Sequence, residues 1–329
     1  MLEAASGRSI ARRFTLGSLA ALATAALLAL VPAQDARSAQ ASEAWAVASV
    51  GPRGTAASTT TLTTGSGHSV TLTRFPKAST VLQWHVGATD PPGAAAQVPP
   101  DAGPKVSDPE APMLVATFNG GFKQYSAAGG MVADGTTVSP MVEGMATMAI
   151  GPRGELSIGA WHRGGFPSGP VVAARQNLGL LVEHGRSLAG SSIAPWGDTL
   201  GGVAAPARSA IGLTENGDVV QAASMSALPS DLAEALLDAG VVTAMQLDIN
   251  PMWIWTSVAA RPGWPLEGVL AGSNRPANQA LLGWDRDFVA VLARPQAGCA
   301  MAFSGPVGAP GPHVPSWVCR HPSTAYQGR

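Results

Sequence analysis

Three polar residues at the ends of apolar runs could carry chemistry in this chain: Asn119, Arg208 and Asp248. Val115-Ala116-Thr117-Phe118 stops at Asn119-Gly120-Gly121-Phe122. A second block opens with Ala207-Arg208-Ser209-Ala210-Ile211-Gly212, and a third closes with Gln246-Leu247-Asp248. An apolar strand that ends abruptly in Asn or Asp delivers a polar group to the rim of a core. A guanidinium fork matches phosphate oxygens in pairs. A carboxyl group can move a proton or act at an anomeric carbon. An amide can hold a sugar hydroxyl. The three together would suit a sugar-phosphate pocket.

Each also has a plainer reading. Asp248 could cap a turn, and Asn119 could form one before its two glycines. Arg208 could pair with Glu215 or Asp218 on the surface. Around them, Gly120, Gly121 and Phe122 would line the pocket. Lys123 would add charge to it, or stand in solvent as loop lysines do. Asn250 and Trp253 follow Asp248; Trp253 could stack on a sugar ring, or Trp253 and Trp255 could pack in the core. Glu143 and Asp134 are further carboxylates, both more at home on hairpin surfaces. His85, His162 and His184 have no partner at metal-ligand or triad spacing. No nucleophile elbow, phosphate loop, dinucleotide fingerprint or calcium loop is present. No cofactor is expected. A divalent cation is compatible with Asp248, but no ligand cluster demands one.

The elements that must position these residues are mostly strands. Val70 to Phe75 alternates with period two, and Val81 to Val86 reads as a second strand. Residues 89–112 carry seven prolines and read as a loop. Hairpin signals then recur at Asp134-Gly135, Arg153-Gly154, His184-Gly185 and Asn216-Gly217, each beside apolar residues. Leu232, Ala235, Leu236 and Ala239 have helical spacing, with Ser230 or Asp231 as the expected cap and Gly240 as the stop. Val241 to Leu247 and Phe288 to Leu292 read as buried strands. Hairpins with one or two packed helices predict an α+β domain built on a largely antiparallel or mixed sheet.

Composition bounds the setting. Arg8, Arg12 and Arg13 precede an uncharged apolar run from Leu16 to Val31, and Ala39-Gln40-Ala41 fits a cleavage site. Residues 1–41 therefore read as a signal peptide, with a retained N-terminal anchor as the alternative, and the mature chain as secreted or envelope-associated. Arg12-Arg13 also fits twin-arginine export. Residues 42–67, rich in Ala, Ser, Thr and Gly, read as a flexible linker before a domain at 68–295. With net charge −1 and 12% charged residues there is no basic stripe, which argues against a nucleic-acid partner. The two cysteines, Cys299 and Cys319, are expected to form a disulfide in a tail spanning 296–329.

In order, these pieces resemble the phosphodiester glycosidase family. Asn119-Gly120-Gly121-Phe122 resembles its Asn-Gly-Gly-Phe-Phe motif, and Gly130 to Gly135 its following hairpin. Arg208-Ser209-Ala210-Ile211-Gly212 with Asn216-Gly217 resembles its Arg-x-Ala-Ile-Gly block. The strand to Leu247-Asp248 resembles the start of its Leu-Asp-Gly-Gly-Gly-Ser block. Two departures stand out. Lys123 replaces the second Phe, and Ile249-Asn250-Pro251-Met252 replaces the glycine run. A glycine run lets backbone N–H groups approach a phosphate, whereas Pro251 has no N–H and Ile249 resists positive φ. The resemblance implies a hydrolase acting on a sugar-1-phosphodiester in an envelope or extracellular glycan, with Asp248, Arg208 and Asn119 in the site. The lost glycines leave open a non-catalytic carbohydrate- or phospho-sugar-binding protein on the same fold. In either case the partner is a carbohydrate or sugar phosphate.

Overall fold

The computed structural model describes residues 45–126, 129–162, 165–190, 194–197, 202–203 and 205–295. It also describes the backbone of two strands at 299–303 and 315–319. The expected signal segment, residues 1–41, lies outside the described residues.

The fold is α+β and dominated by antiparallel sheet. One eight-stranded sheet contains, in spatial order, β1 (Ala46–Gly51), β2 (Gly54–Thr63), β3 (Ser69–Phe75), β14 (Val219–Ser224), β13 (Arg208–Thr214), β15 (Val241–Gln246), β11 (Leu180–Glu183) and β12 (Arg186–Ser187). A second sheet runs β7 (Thr136–Ser139), β6 (Met131–Ala133), β10 (Ala173–Gln176), β8 (Ala146–Ile150) and β9 (Leu156–Ala160). The third runs β17 (Leu266–Gly268), β16 (Thr256–Ala259), β5 (Leu114–Asn119), β18 (Phe288–Ala293) and β4 (Thr80–His85). Two helices are present among the described residues, α1 (Pro229–Asp238) and α2 (Gln279–Leu282).

Period-two side-chain alternation lets the strands serve two cores at once. In β18, Val289 and Val291 join a central core shared by all three sheets, with Phe75, Phe118, Met148, Ile211 and Met245. Phe288, Ala290 and Leu292 point the other way, toward Trp255 and Leu114. The eight-stranded sheet buries its outer face under α1, where Leu232 and Leu236 meet Leu72, Val220 and Ala244.

The four hairpin signals are borne out. Each turn uses positive φ, at Asp134 (46°) with Gly135 (73°), Gly154 (71°), His184 (49°) with Gly185 (70°), and Gly217 (89°). Helix α1 begins slightly earlier than expected. Leu228 is the N-cap, and Asp231, rather than capping by itself, sits in the first turn and accepts the Leu228 N–H at 2.7 Å. Gly240 closes the helix at φ 80°, as read from the sequence.

The linker expectation for residues 42–67 is corrected. Ala46–Gly51 and Gly54–Thr63 are paired strands, and β2 continues onto β3 from Ser58↔Arg74 to Thr63↔Ser69. Ala56 and Ala57 are fully buried in the central core. Small residues that look like a spacer in sequence here carry the sheet ladder and, at Ala56 and Ala57, fill core positions. At the other end, β19 (Cys299–Phe303) and β20 (Pro315–Cys319) pair with Cys299 opposite Cys319.

At roughly 1 kcal/mol per ladder hydrogen bond, a chain starting at Gly67 should be several kcal/mol less stable than one starting at Ser42. Denaturant unfolding of the two chains measures this. Equal midpoints would mean that β1 and β2 contribute nothing to the domain.

Candidate active site at converging strand ends

Four chain segments meet where β5 and β15 end and where β13 and β18 begin. β5 lies between β16 and β18, with Asn119 opposite Phe288. β15 lies beside β13, with Gln246 opposite Ala210. Beyond that pair, the Leu247 N–H donates to the Ser209 carbonyl at 2.8 Å, and the Ser209 N–H donates to the Asp248 carbonyl at 2.9 Å. Asn119 ties the two sheet ends together. Its Nδ2 donates to Ser209 Oγ at 2.8 Å and to the Gly120 carbonyl at 2.9 Å, and its Oδ1 accepts the Trp255 N–H at 3.4 Å. Asn119 is buried and committed to the protein, so it works as a staple between sheets.

Asp248 stands at the centre of the meeting point. Its Oδ1 accepts the backbone N–H groups of Ile249 at 2.7 Å and Asn250 at 3.1 Å. Its Oδ2 pairs with Arg286 Nη1 at 2.9 Å, and each side chain is only 5% exposed. Burial pushes the Asp248 carboxyl up to about 6, against the opposing pull of Arg286 and the two N–H groups. A carboxyl with that value is ionised at neutral pH yet basic enough to accept a proton. Its hydrogen-bond partners are all donors and favour the ionised form, while burial and the nearby Asp287 carboxylate oppose them.

Arg286 was not singled out by the sequence. It precedes β18 and spans three partners: Asp248, the Gly121 carbonyl at 2.7 Å through Nη2, and Asp90 at 3.7 Å from Nε. The Asp285-Arg286-Asp287 triplet before an apolar strand was the available signal. Asp287 points away from Arg286 to a second buried pair, where Arg175 Nε meets its Oδ2 at 2.8 Å. Arg175 also donates to the Phe122 carbonyl and, through Nη1, to the Gln176 carbonyl at 2.7 Å. Asn177 accepts the Phe122 N–H at 3.3 Å and donates to the Leu247 carbonyl at 2.7 Å.

This packing explains the two glycines. A Cβ on Gly120 would stand 2.3 Å from Asp287 Oδ2, and one on Gly121 would stand 3.1 Å from the Arg175 guanidinium. Neither glycine adopts positive φ; close approach to the ion pair is the requirement. Phe122 is buried beneath the same loop, against the Gly197 backbone.

Arg208 is placed differently from the expectation. It is buried at the start of β13, and its guanidinium donates to the carbonyls of Ala227 at 3.1 Å, Trp196 at 3.0 Å and Gly197 at 3.2 Å. It also donates to Gln246 Oε1 at 2.7 Å. Its described contacts hold the 194–197 turn and β15, and the cation on Asp248 is Arg286. The surface pairing with Glu215 or Asp218 does not hold either, since both lie at the far end of β13. An open cleft of about 500 Å³ beside Arg74, Glu215 and Asp218 also lies at that far end, away from Asp248.

The half-exposed surface beside Arg286 is cationic and aromatic. Lys123 Nζ lies 5.1 Å from the centre of the Trp253 ring and 5.5 Å from that of Tyr125. Arg286 lies 5.1 Å from the same Trp253 ring, and Arg275 lies 6.0 Å from it. Trp253 meets Trp284 edge to face at 5.9 Å. Trp255 belongs to the core, so the two tryptophans do divide between surface and interior. The Asn250 side chain accepts the Met252 N–H at 2.9 Å and shapes the turn under Trp253. Of the other carboxylates considered, Glu143 pairs with His162 at 3.0 Å on the surface, and Asp134 forms its hairpin turn. His85 is buried, 3.4 Å from Glu110 and stacked on Phe288. Among the described residues no group of three or more His, Cys, Asp or Glu could hold a metal ion.

The comparison with known families agrees with the motif order. Residues 113–248 match the phosphodiester glycosidase family. The phosphodiester glycosidase match thus opens just before β5 and closes on Asp248; Trp253, Arg275 and Arg286 lie beyond it. No curated protein matches the chain. Among solved structures, it is similar to the catalytic domain of zebrafish N-acetylglucosamine-1-phosphodiester alpha-N-acetylglucosaminidase, described as auto-inhibited by its pro-peptide. That likeness has 17% identity, a TM-score of 0.48, and covers 76% of this chain and 88% of the other. A hypothetical protein from Synechocystis follows at 13% identity and TM-score 0.39, covering 73% and 62%. A putative exported protein from Burkholderia pseudomallei is 11% identical at TM-score 0.37, covering 75% and 76%.

Gly120→Ala forces a methyl group onto a buried ion pair and should cost about 2–4 kcal/mol. Gly268→Ala, with nothing near its Cβ, should stay within about 0.5 kcal/mol of wild type. Chemical denaturation compares them; an unchanged Gly120→Ala midpoint would show that the loop does not rest on Arg175 and Asp287 as described.

Proposed function

We propose that this chain is an exported hydrolase cleaving a sugar-1-phosphodiester, with Asp248 as the reacting carboxylate. The observation that carries the reading is Asp248 itself. It is a buried carboxyl group poised near neutrality, oriented by Arg286, at the last residue of a segment that matches phosphodiester glycosidases.

The roles follow from the geometry. Ionised Asp248 takes the proton of a water that attacks the anomeric carbon as the C1–O bond to the phosphate breaks, or attacks that carbon itself, the phosphate leaving and water then hydrolysing the glycosyl-aspartate. One carboxylate suffices for this leaving group. A phosphate monoester is a much weaker base than a sugar alkoxide and departs without a proton donor. Arg286 fixes the carboxylate and supplies positive potential. Trp253 carries cations on its ring beside Asp248, and the half-exposed Lys123 adds positive charge toward an anionic substrate. Asn119, Gly120, Gly121 and Arg208 act one layer back, holding the strand ends in register.

The Ile249-Asn250-Pro251 turn supports a second reading, a phospho-sugar receptor. The N–H groups of Ile249 and Asn250 are turned onto Asp248 and are unavailable to a phosphate. Hydrolysis assays on sugar-1-phosphodiesters, including UDP-N-acetylglucosamine, separate the two. The hydrolase reading expects turnover that Asp248→Asn lowers about a thousandfold. Binding without turnover in a folded protein would establish the receptor.

The pH profile tests the role of Asp248 on its own. Since the ionised form is the working one, kcat/KM should rise with pH through an apparent value of about 6. A rate that falls through the same region would make Asp248 a proton donor and overturn the assignment.

The extracytoplasmic setting rests on the N-terminal segment and agrees with Cys299 standing opposite Cys319. A bridge between them is part of the same proposal. Thiol alkylation of the secreted protein should label neither cysteine before reduction and both after it; labelling of the untreated protein would exclude the bridge.

A further inference from the structure

Lys123 and Arg275 reach the Trp253 ring from different loops. Lys123 follows the Asn119–Phe122 turn, and Arg275 belongs to the loop between β17 and α2. Both are partly exposed. The ammonium of Lys123 faces the rings of Tyr125 and Trp253. The guanidinium of Arg275 faces Trp253 and Trp284, with one contact of 3.4 Å to Asn274 Oδ1. Neither has a carboxylate partner among the described residues. Arg286, by contrast, is committed to Asp248, the Gly121 carbonyl and Asp90.

Two uncompensated cations beside one half-buried tryptophan exceed what a single phosphodiester charge requires. The backbone donors that could have shared that charge are consumed inside the Asp248 turn. We propose that Lys123, Arg275 and Trp253 form a subsite for a second anionic group next to the scissile phosphate, so that the preferred substrate is a sugar linked through a diphosphate. This rests on the hydrolase reading for its chemistry but not for its binding. Guanidinium and ammonium groups recognise adjacent phosphates through charge-assisted hydrogen bonds. The ring keeps both cations against an apolar face, ready for the anion.

Calorimetric titration with inorganic pyrophosphate and inorganic phosphate tests the subsite without turnover. Pyrophosphate is expected to bind at least about tenfold more tightly than phosphate. Lys123→Gln and Arg275→Gln should each weaken pyrophosphate binding about fivefold or more, and together they should abolish the preference. Arg275→Lys should retain it, which separates loss of charge from loss of structure. Equal affinities for the two anions, a preference that survives the double variant, or equal losses in Arg275→Lys and Arg275→Gln would each overturn the proposal. Absence of hydrolysis with the pyrophosphate preference intact would instead overturn the enzyme reading and leave the subsite standing.

Discussion

The buried ion pair between Arg175 and Asp287 is the constraint around which the site is arranged. Asp287 also accepts the Gly121 N–H, and Arg175 holds the Phe122 carbonyl, so the pair grips the loop that follows β5. Removing one partner of such a pair leaves an uncompensated charge in the core and costs about 3–5 kcal/mol. Asp287 meets Arg175, and its neighbour Arg286 meets Asp248, so one dipeptide before β18 supplies both the buried pair and the cation on the Asp248 carboxyl.

Positive charge is distributed around Asp248 in two ways. Arg286 is buried, rigid and spent on the protein. Lys123 and Arg275 sit half-exposed on aromatic faces beside it, without a carboxylate partner among the described residues. The first arrangement sets the state of Asp248, and the second is suited to meeting a ligand. A glycine-rich turn could have supplied backbone donors at the same place. Here Asp248 takes those donors for itself, which raises the importance of side-chain cations.

Much of the architecture was legible because turn chemistry is local. Asp134-Gly135, His184-Gly185 and Asn216-Gly217 need positive φ within two residues, and a sequence displays that directly. The strand ends at Asn119 and Asp248 were visible for the same reason. Linear reading failed where meaning depended on distant packing. The Ala- and Thr-rich stretch before residue 67 looked like a spacer because small residues carry no periodic signal, although Ala56 and Ala57 are core. Arg208 was placed in the site by its motif, while its donors reach the carbonyls of residues 196, 197 and 227. Arg286 sits 38 positions after Asp248 in the chain, beyond any spacing rule that would join them.

The pairing of β5 with β18 has a further implication for biogenesis. β5 is made early and waits for a partner that begins at Phe288. Until that late strand is available, the Asn119–Phe122 loop lacks Asp287, and Asp248 lacks Arg286. A nascent chain can therefore hold every residue of the matched segment and still lack the cation that faces Asp248. That contact requires β18 to take its place between β4 and β5. Long-range closure of this kind is slow, so the pairing of Asp248 with Arg286 is among the last contacts the fold can make.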